Sequence, residues 1–73
     1  MAAWFVYVLE CQDGTLYTGV AVDVQARFAA HASGKGARYT RAHPPARVLA
    51  SFECAGRSEA LKREIAIKRL SAN

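Results

Sequence analysis

Basic residues are missing from the first part of this chain: no lysine or arginine precedes Arg27, and residues 1–26 carry only Glu10, Asp13 and Asp23 as charged side chains. Carboxylates are missing from the stretch that follows. None lies between Asp23 and Glu53, where Arg27, Lys35, Arg38, Arg41 and Arg47 fall. From Arg27 onward ten basic side chains face three acidic ones, a balance of +7 inside a net charge of +4. Charge so one-sided can neutralise phosphates and release counterions on meeting nucleic acid. It can equally form a solvated surface that serves solubility. Charge alone leaves both readings open.

Cysteine is scarce as well. Cys11 and Cys54 stand at no metal-ligand spacing, with no CxxC pair and no His/Cys cluster, which argues against a zinc site. They read as free thiols in a reducing compartment. Residues Met1 to Glu10 have no basic leader, and their apolar run is too short to span a bilayer. The expectation is a cytoplasmic protein with no membrane segment. Only 22% of the residues are charged against 52% apolar, a balance that excludes intrinsic disorder. The 73 residues make a single domain, 1–73, near the lower limit at which one apolar core holds a fold.

Trp4 to Cys11, rich in aromatic and β-branched residues, reads as a strand buried on both faces and therefore central in its sheet. Asp13-Gly14 is the dipeptide that most readily takes the positive φ angles of a tight hairpin. Thr15 to Val20 returns as the second strand, so Tyr7 and Tyr17 come near one another. Gly19 within that return marks a bulge, a close approach, or the strand's end.

Asp23 is suited to cap a helix running to about Ala32, with Val24, Phe28 and alanines on its apolar side. Asp23, Arg27 and His31 share one stripe at i, i+4 and i+8. Ser33-Gly34-Lys35-Gly36 lacks the Walker pattern and reads as a helix stop; from there to Pro44-Pro45 the chain is a basic loop. Ala46 to Cys54 gives a third strand. Gly56-Arg57-Ser58 turns into a closing helix with Ser58 as its cap and Glu59 in the first turn. Three strands and two helices make an α+β arrangement, because the apolar stripe of each helix needs a sheet to cover.

In the closing helix, at about 100° per residue, Ala60, Leu61, Ile65 and Ile67 spread over one side and Glu64 falls among them. A carboxylate there is paired, protonated or coordinating, since an isolated buried charge is costly. An i,i+4 ion pair with Lys68 is one reading. A metal ligand is the other.

The ordered set resembles the GIY-YIG nuclease family, in particular its small stand-alone members, over almost the whole chain. Phe5-Val6-Tyr7 stands for Gly-Ile-Tyr, Tyr17-Thr18-Gly19 for Tyr-Ile-Gly, Arg27 for the helix arginine and Glu64 for the metal-binding glutamate. The segments from Arg27 to His31, Gly34 to Thr40 and Glu64 to Lys68 are also similar to that subgroup. The resemblance implies a β-β-α-β-α fold with the first strand in the middle of a three-stranded antiparallel sheet. It further implies hydrolysis of phosphodiester bonds in DNA or RNA, in repair or processing, with one divalent cation. Glu64 would hold Mg²⁺ or Mn²⁺, and Arg27 would stabilise charge developing on the phosphate.

By the same resemblance Tyr7 or Tyr17 takes a proton from the attacking water. A phenol of pKa about 10 needs a nearby cation for that, and the base is not assigned to one of the two. His31 either positions or shuttles a proton or is a surface residue without a role. Lys35, Arg38, Tyr39 and Arg41 would touch the nucleic-acid backbone.

The sequence also departs from the family. Phe5 and Val6 replace the first Gly and Ile, Val20 stands where many members have Lys, and the chain stops at Asn73 where relatives run on. With no appended recognition domain, specificity would be poor or supplied by a protein partner. Two other classes compete with a nuclease: a non-catalytic nucleic-acid-binding module of the same fold, and a small protein-interaction domain. Tyr7, Tyr17, Arg27 and Glu64 together favour the nuclease, since a binding module needs cations but no carboxylate on an apolar helix face.

Overall fold

The computed structural model describes residues 3–71. Its order is β1 (Trp4–Cys11), β2 (Leu16–Ala21), α1 (Val24–Ala32), α2 (Arg38–Ala42), β3 (Pro45–Cys54) and α3 (Arg57–Ser71). The strands form one antiparallel sheet in the order β2-β1-β3. β1 is the central strand, as its unbroken apolar run requires, and helices cover both of its faces. On one face Val6 packs with Cys54 and with Ala60 and Ile67 of α3. On the other, Tyr7, Leu9 and Ala21 pack with Val24 and Phe28 of α1. Leu9 is fully buried, a burial worth about 1.5–3 kcal/mol.

Turn chemistry sets the hairpin. Gly14 takes φ +86°, the Cys11 N–H donates to the Thr15 carbonyl at 2.8 Å, and Asp13 Oδ1 accepts from the Thr15 N–H and hydroxyl at 3.1 and 2.6 Å. The β1–β3 register shifts between Val8 and Leu9, where Ala50 and Val48 are the successive partners. Leu49 is the extra residue of that bulge and is exposed, while Val48 stays on the Leu9 face.

Helix α1 begins as its sequence dictates, with Asp23 Oδ1 accepting from the Ala26 N–H at 3.0 Å. It ends in a Schellman arrangement. Gly34 (φ +81°) donates to the His31 carbonyl and Lys35 to that of Ala30.

Three expectations need correction. The supposed loop before Pro44 contains α2, whose first residues have no side-chain cap because Ala37 occupies the N-cap position. Ser58 is not a cap. The Gly56 carbonyl already accepts from Ala60 at 3.0 Å, and Glu59 reaches back to the Ala55 N–H at 2.9 Å, so Ser58 lies inside α3. Finally, Ile65 is 54% exposed. The helix packs on the sheet through Ala60 and Ile67, with Leu61 and Glu64 partly buried beside them, and Ile65 lies about 100° round from Glu64.

Candidate active site

Tyr7 and Tyr17 are brought together by register. Tyr7 pairs with Gly19 and Leu9 with Tyr17, so the tyrosines are diagonal neighbours on one face with ring centroids 6.4 Å apart. The Tyr7 ring lies across β2 at Gly19, where an added Cβ would come within 2.7 Å of Tyr7 Cζ. Gly19 is therefore a place of close approach, and the β1–β2 register runs through it without a bulge.

His31 comes from the last turn of α1 and points inward. It is 1% exposed, which rules out the reading of a surface histidine without partners. Its Nε2 lies 2.9 Å from the Tyr7 hydroxyl and its Nδ1 2.7 Å from the Thr40 hydroxyl. Burial, and then the nearby Arg27 charge, hold its pKa below the ordinary value, so the imidazole is neutral near pH 7.

Arg27, one turn earlier on α1, also acts on Tyr7. Burial, the largest effect, raises the Tyr7 pKa; Arg27 opposes it, while Tyr17 and Glu64 add to it. Burial wins. Tyr7 is thus a neutral phenol rather than a standing phenolate: the cation that a base role needs is beside it, but burial outweighs it.

Glu64 is supplied by α3, which covers the other face of the sheet, and its charge reaches Tyr7. Its side chain is 18% exposed, with Oε2 3.4 Å from Lys68 Nζ. The ion-pair reading is realised, but loosely, since charge-assisted contacts of this type run about 2.7–2.9 Å. Among the described residues no three His, Cys, Asp or Glu side chains cluster as a metal cage. One half-buried carboxylate on a loose pair nevertheless suits a hard cation that draws its other ligands from water and phosphate.

Around this core runs an aromatic series. Tyr17 lies 5.0 Å from His31 and 6.0 Å from Tyr39, and Tyr39 stacks on His43 at 4.4 Å. His43 Nδ1 meets Asp13 Oδ2 at 2.5 Å. Hydrogen bonds from Thr15, then from His43, lower the Asp13 pKa to about 2. Arg38, Tyr39 and Arg41 are on the exposed side of α2, while Thr40 faces inward. Lys35, also exposed, lies in the connection from α1. These three cations take part in none of the ion pairs among the described residues, which are Asp13–His43, Glu10–Arg47, Glu59–Arg63 and Glu64–Lys68. Thr40, His43 and Gly36 were not legible as site residues, because only the unpredicted α2 and its entry bring them to His31 and Tyr39.

The GIY-YIG catalytic domain model matches residues 3–73. The chain belongs to that family. Among relatives, a UPF0213 protein of Cupriavidus necator is 55% identical over 71 residues, covering 97% of this chain and 77% of its own length. A UPF0213 protein of Halobacterium salinarum is 50% identical over 66 residues, or 90% of this chain and 86% of the relative. The solution NMR structure of a UPF0213 protein from Bacillus halodurans is 46% identical, with TM-score 0.57 over 96% of this chain and 74% of that one. Its similarity supports the β-β-α-β-α order, here with α2 added between α1 and β3.

Proposed function

We propose that this protein is an endonuclease that hydrolyses phosphodiester bonds in DNA or RNA with the aid of one divalent cation. The observation that carries the reading is the 2.9 Å contact between the Tyr7 hydroxyl and His31 Nε2, beside Arg27. Tyr7 is a neutral phenol, so it acts as a relay. Its oxygen takes a proton from the attacking water while its own proton passes to His31. The water oxygen forms the new bond to phosphorus, and the bond to the leaving sugar oxygen breaks, that oxygen keeping the electron pair and taking a proton from solvent. Arg27 offers its fixed fork of donors to the charge that develops on the phosphate. Tyr17, packed against both Tyr7 and His31, holds their rings in place.

Glu64 would hold the cation, Mg²⁺ or Mn²⁺, and the ion would act as a Lewis acid on the phosphate. Lys35, Arg38 and Arg41, with Tyr39 among them, would position the backbone without reading sequence. The two free, buried cysteines favour a reducing compartment, and a role in repair or nucleic-acid processing in the cytoplasm, with specificity supplied by a protein partner, accords with a site whose exposed cations would meet the backbone. The test is incubation with single-stranded, duplex and branched DNA and with RNA, with and without Mg²⁺ or Mn²⁺, beside Arg27→Ala and Tyr7→Phe. Metal-dependent cleavage lost in both variants is the expected result. Binding without cleavage under every condition would instead select the non-catalytic module.

A further inference from the structure

We infer that Thr40 is a positioning residue that holds His31 in the tautomer whose Nε2 is able to accept the Tyr7 proton; this rests on the relay reading above. A hydroxyl has one proton to give. That of Thr40 is directed at the Ala37 carbonyl oxygen, 3.0 Å away. With the Thr40 proton placed there, Thr40 Oγ1 is the acceptor and Nδ1–H the donor in the 2.7 Å contact with His31. A neutral imidazole with its proton on Nδ1 carries a lone pair on Nε2. The 2.9 Å contact then has the Tyr7 hydroxyl donating to Nε2. One directed chain results, in which Tyr7 donates to His31, His31 to Thr40, and Thr40 to the backbone.

The opposite tautomer has its own supporter. The Ala37 N–H also approaches Nδ1, at 3.3 Å, longer than an ordinary N–H hydrogen bond. Thr40 itself serves either tautomer, donating to Nδ1 or accepting from it; the buried Tyr7 hydroxyl, with His31 Nε2 as its hydrogen-bond partner and the donor-only Arg27 cation beside it, selects the one in which Thr40 accepts. Remove the Thr40 hydroxyl and only the Ala37 N–H remains at Nδ1, which becomes an acceptor. The ring proton moves to Nε2, and His31 then faces Tyr7 as a donor with no lone pair to receive a proton. Water cannot readily replace the missing hydroxyl, since Thr40 and His31 are each 1% exposed. Gly36 belongs to the same device: a Cβ there would overlap His31 Nδ1, so only glycine lets the backbone entering α2 lie against this edge of the ring.

The tautomer is read directly from a long-range proton–nitrogen correlation spectrum of histidine-labelled protein at about pH 8, well above the ordinary histidine pKa. His43→Gln identifies the second histidine. The parent and Thr40→Ser should carry the proton on Nδ1, and Thr40→Val on Nε2, with Thr40→Ala as the hydroxyl-free alternative should Val not be accepted. In cleavage, Thr40→Val should lower kcat on the order of 10²-fold, the lower end of what a positioned proton-transfer group contributes, with KM unchanged and Thr40→Ser restoring most of the rate. A parent proton on Nε2, a proton that stays on Nδ1 without the hydroxyl, or a switched tautomer with undiminished kcat would each overturn the role of Thr40. A parent that cleaves nothing defeats the nuclease reading instead, and the spectra still decide whether Thr40 holds the tautomer.

Discussion

Gly19 lies directly opposite Tyr7 in the β1–β2 ladder, and a Cβ at that position would stand 2.5 Å from the Tyr7 hydroxyl oxygen. The hydroxyl cannot simply swing away, because Tyr7 is 1% exposed and bonded to His31. Gly19→Ala should therefore cost about 1–3 kcal/mol, the range for overpacking a filled interior. It should also lengthen the Tyr7–His31 hydrogen bond. Urea melts and cleavage rates on one preparation check this, and an Ala variant matching the parent in both would show that the ring has room to move.

Tyr7→Phe removes the hydroxyl but keeps the ring. It leaves His31 Nε2 buried without its partner, at a cost of about 1–3 kcal/mol, and turnover should fall by roughly 10²–10⁴-fold. Tyr17→Phe should have the smaller effect on rate. Equal reductions from the two would place the relay on the wrong tyrosine.

His31 gives the pH dependence its sign. Its folded-state pKa lies below the unfolded value of 6.5 because burial, then Arg27, disfavours the cation. Below pH 6.5 the unfolded chain binds the proton before the folded one does, so stability is fully present above that pH and is lost as pH falls toward the folded pKa. His31→Gln should abolish that part of the slope. Melts taken across this range in both proteins make the comparison.

Glu64→Gln, melted in EDTA, should change stability by no more than about 1 kcal/mol, since its partner Lys68 is half exposed and such pairs contribute little. Metal-dependent cleavage should disappear. A large drop in stability with cleavage retained would make Glu64 a structural partner of Lys68 and remove it from the site.

Lys35, Arg38 and Arg41 changed together to Ala should weaken nucleic-acid binding equally for all sequences. The dependence of log affinity on log salt should become shallower by roughly 0.9 for each duplex phosphate that the variant no longer neutralises. Titrations at several salt concentrations measure that slope, and an unchanged value would leave the three cations as solvated surface.

Strong local chemistry was legible in the sequence. The bounds of β1, its central place and the Asp23 cap follow from apolar runs and a capping side chain, whereas Gly19 left three readings, of which the structure realises the close approach. Tyr7, Tyr17, Arg27 and Glu64 could be picked out from their order. Helix α2 could not, because five residues without a side-chain cap leave neither periodicity nor a start signal. With it went the partners of His31, whose two bonds span separations of 24 and 9 residues. Ile65 misled for a related reason: helical angle gives the apolar arc, but the sheet decides which part of that arc it covers.

The central position of β1 has a consequence for how the chain acquires its shape during synthesis. Its hairpin partner β2 follows within a few residues, but the other edge waits for β3, whose pairing with Trp4 involves Cys54. Until that segment emerges, a strand of aromatic and aliphatic residues has one row of backbone groups open to any other extended chain. The nascent protein is expected to be most prone to aggregate in this interval, which ends when the long loop between β1 and β3 closes.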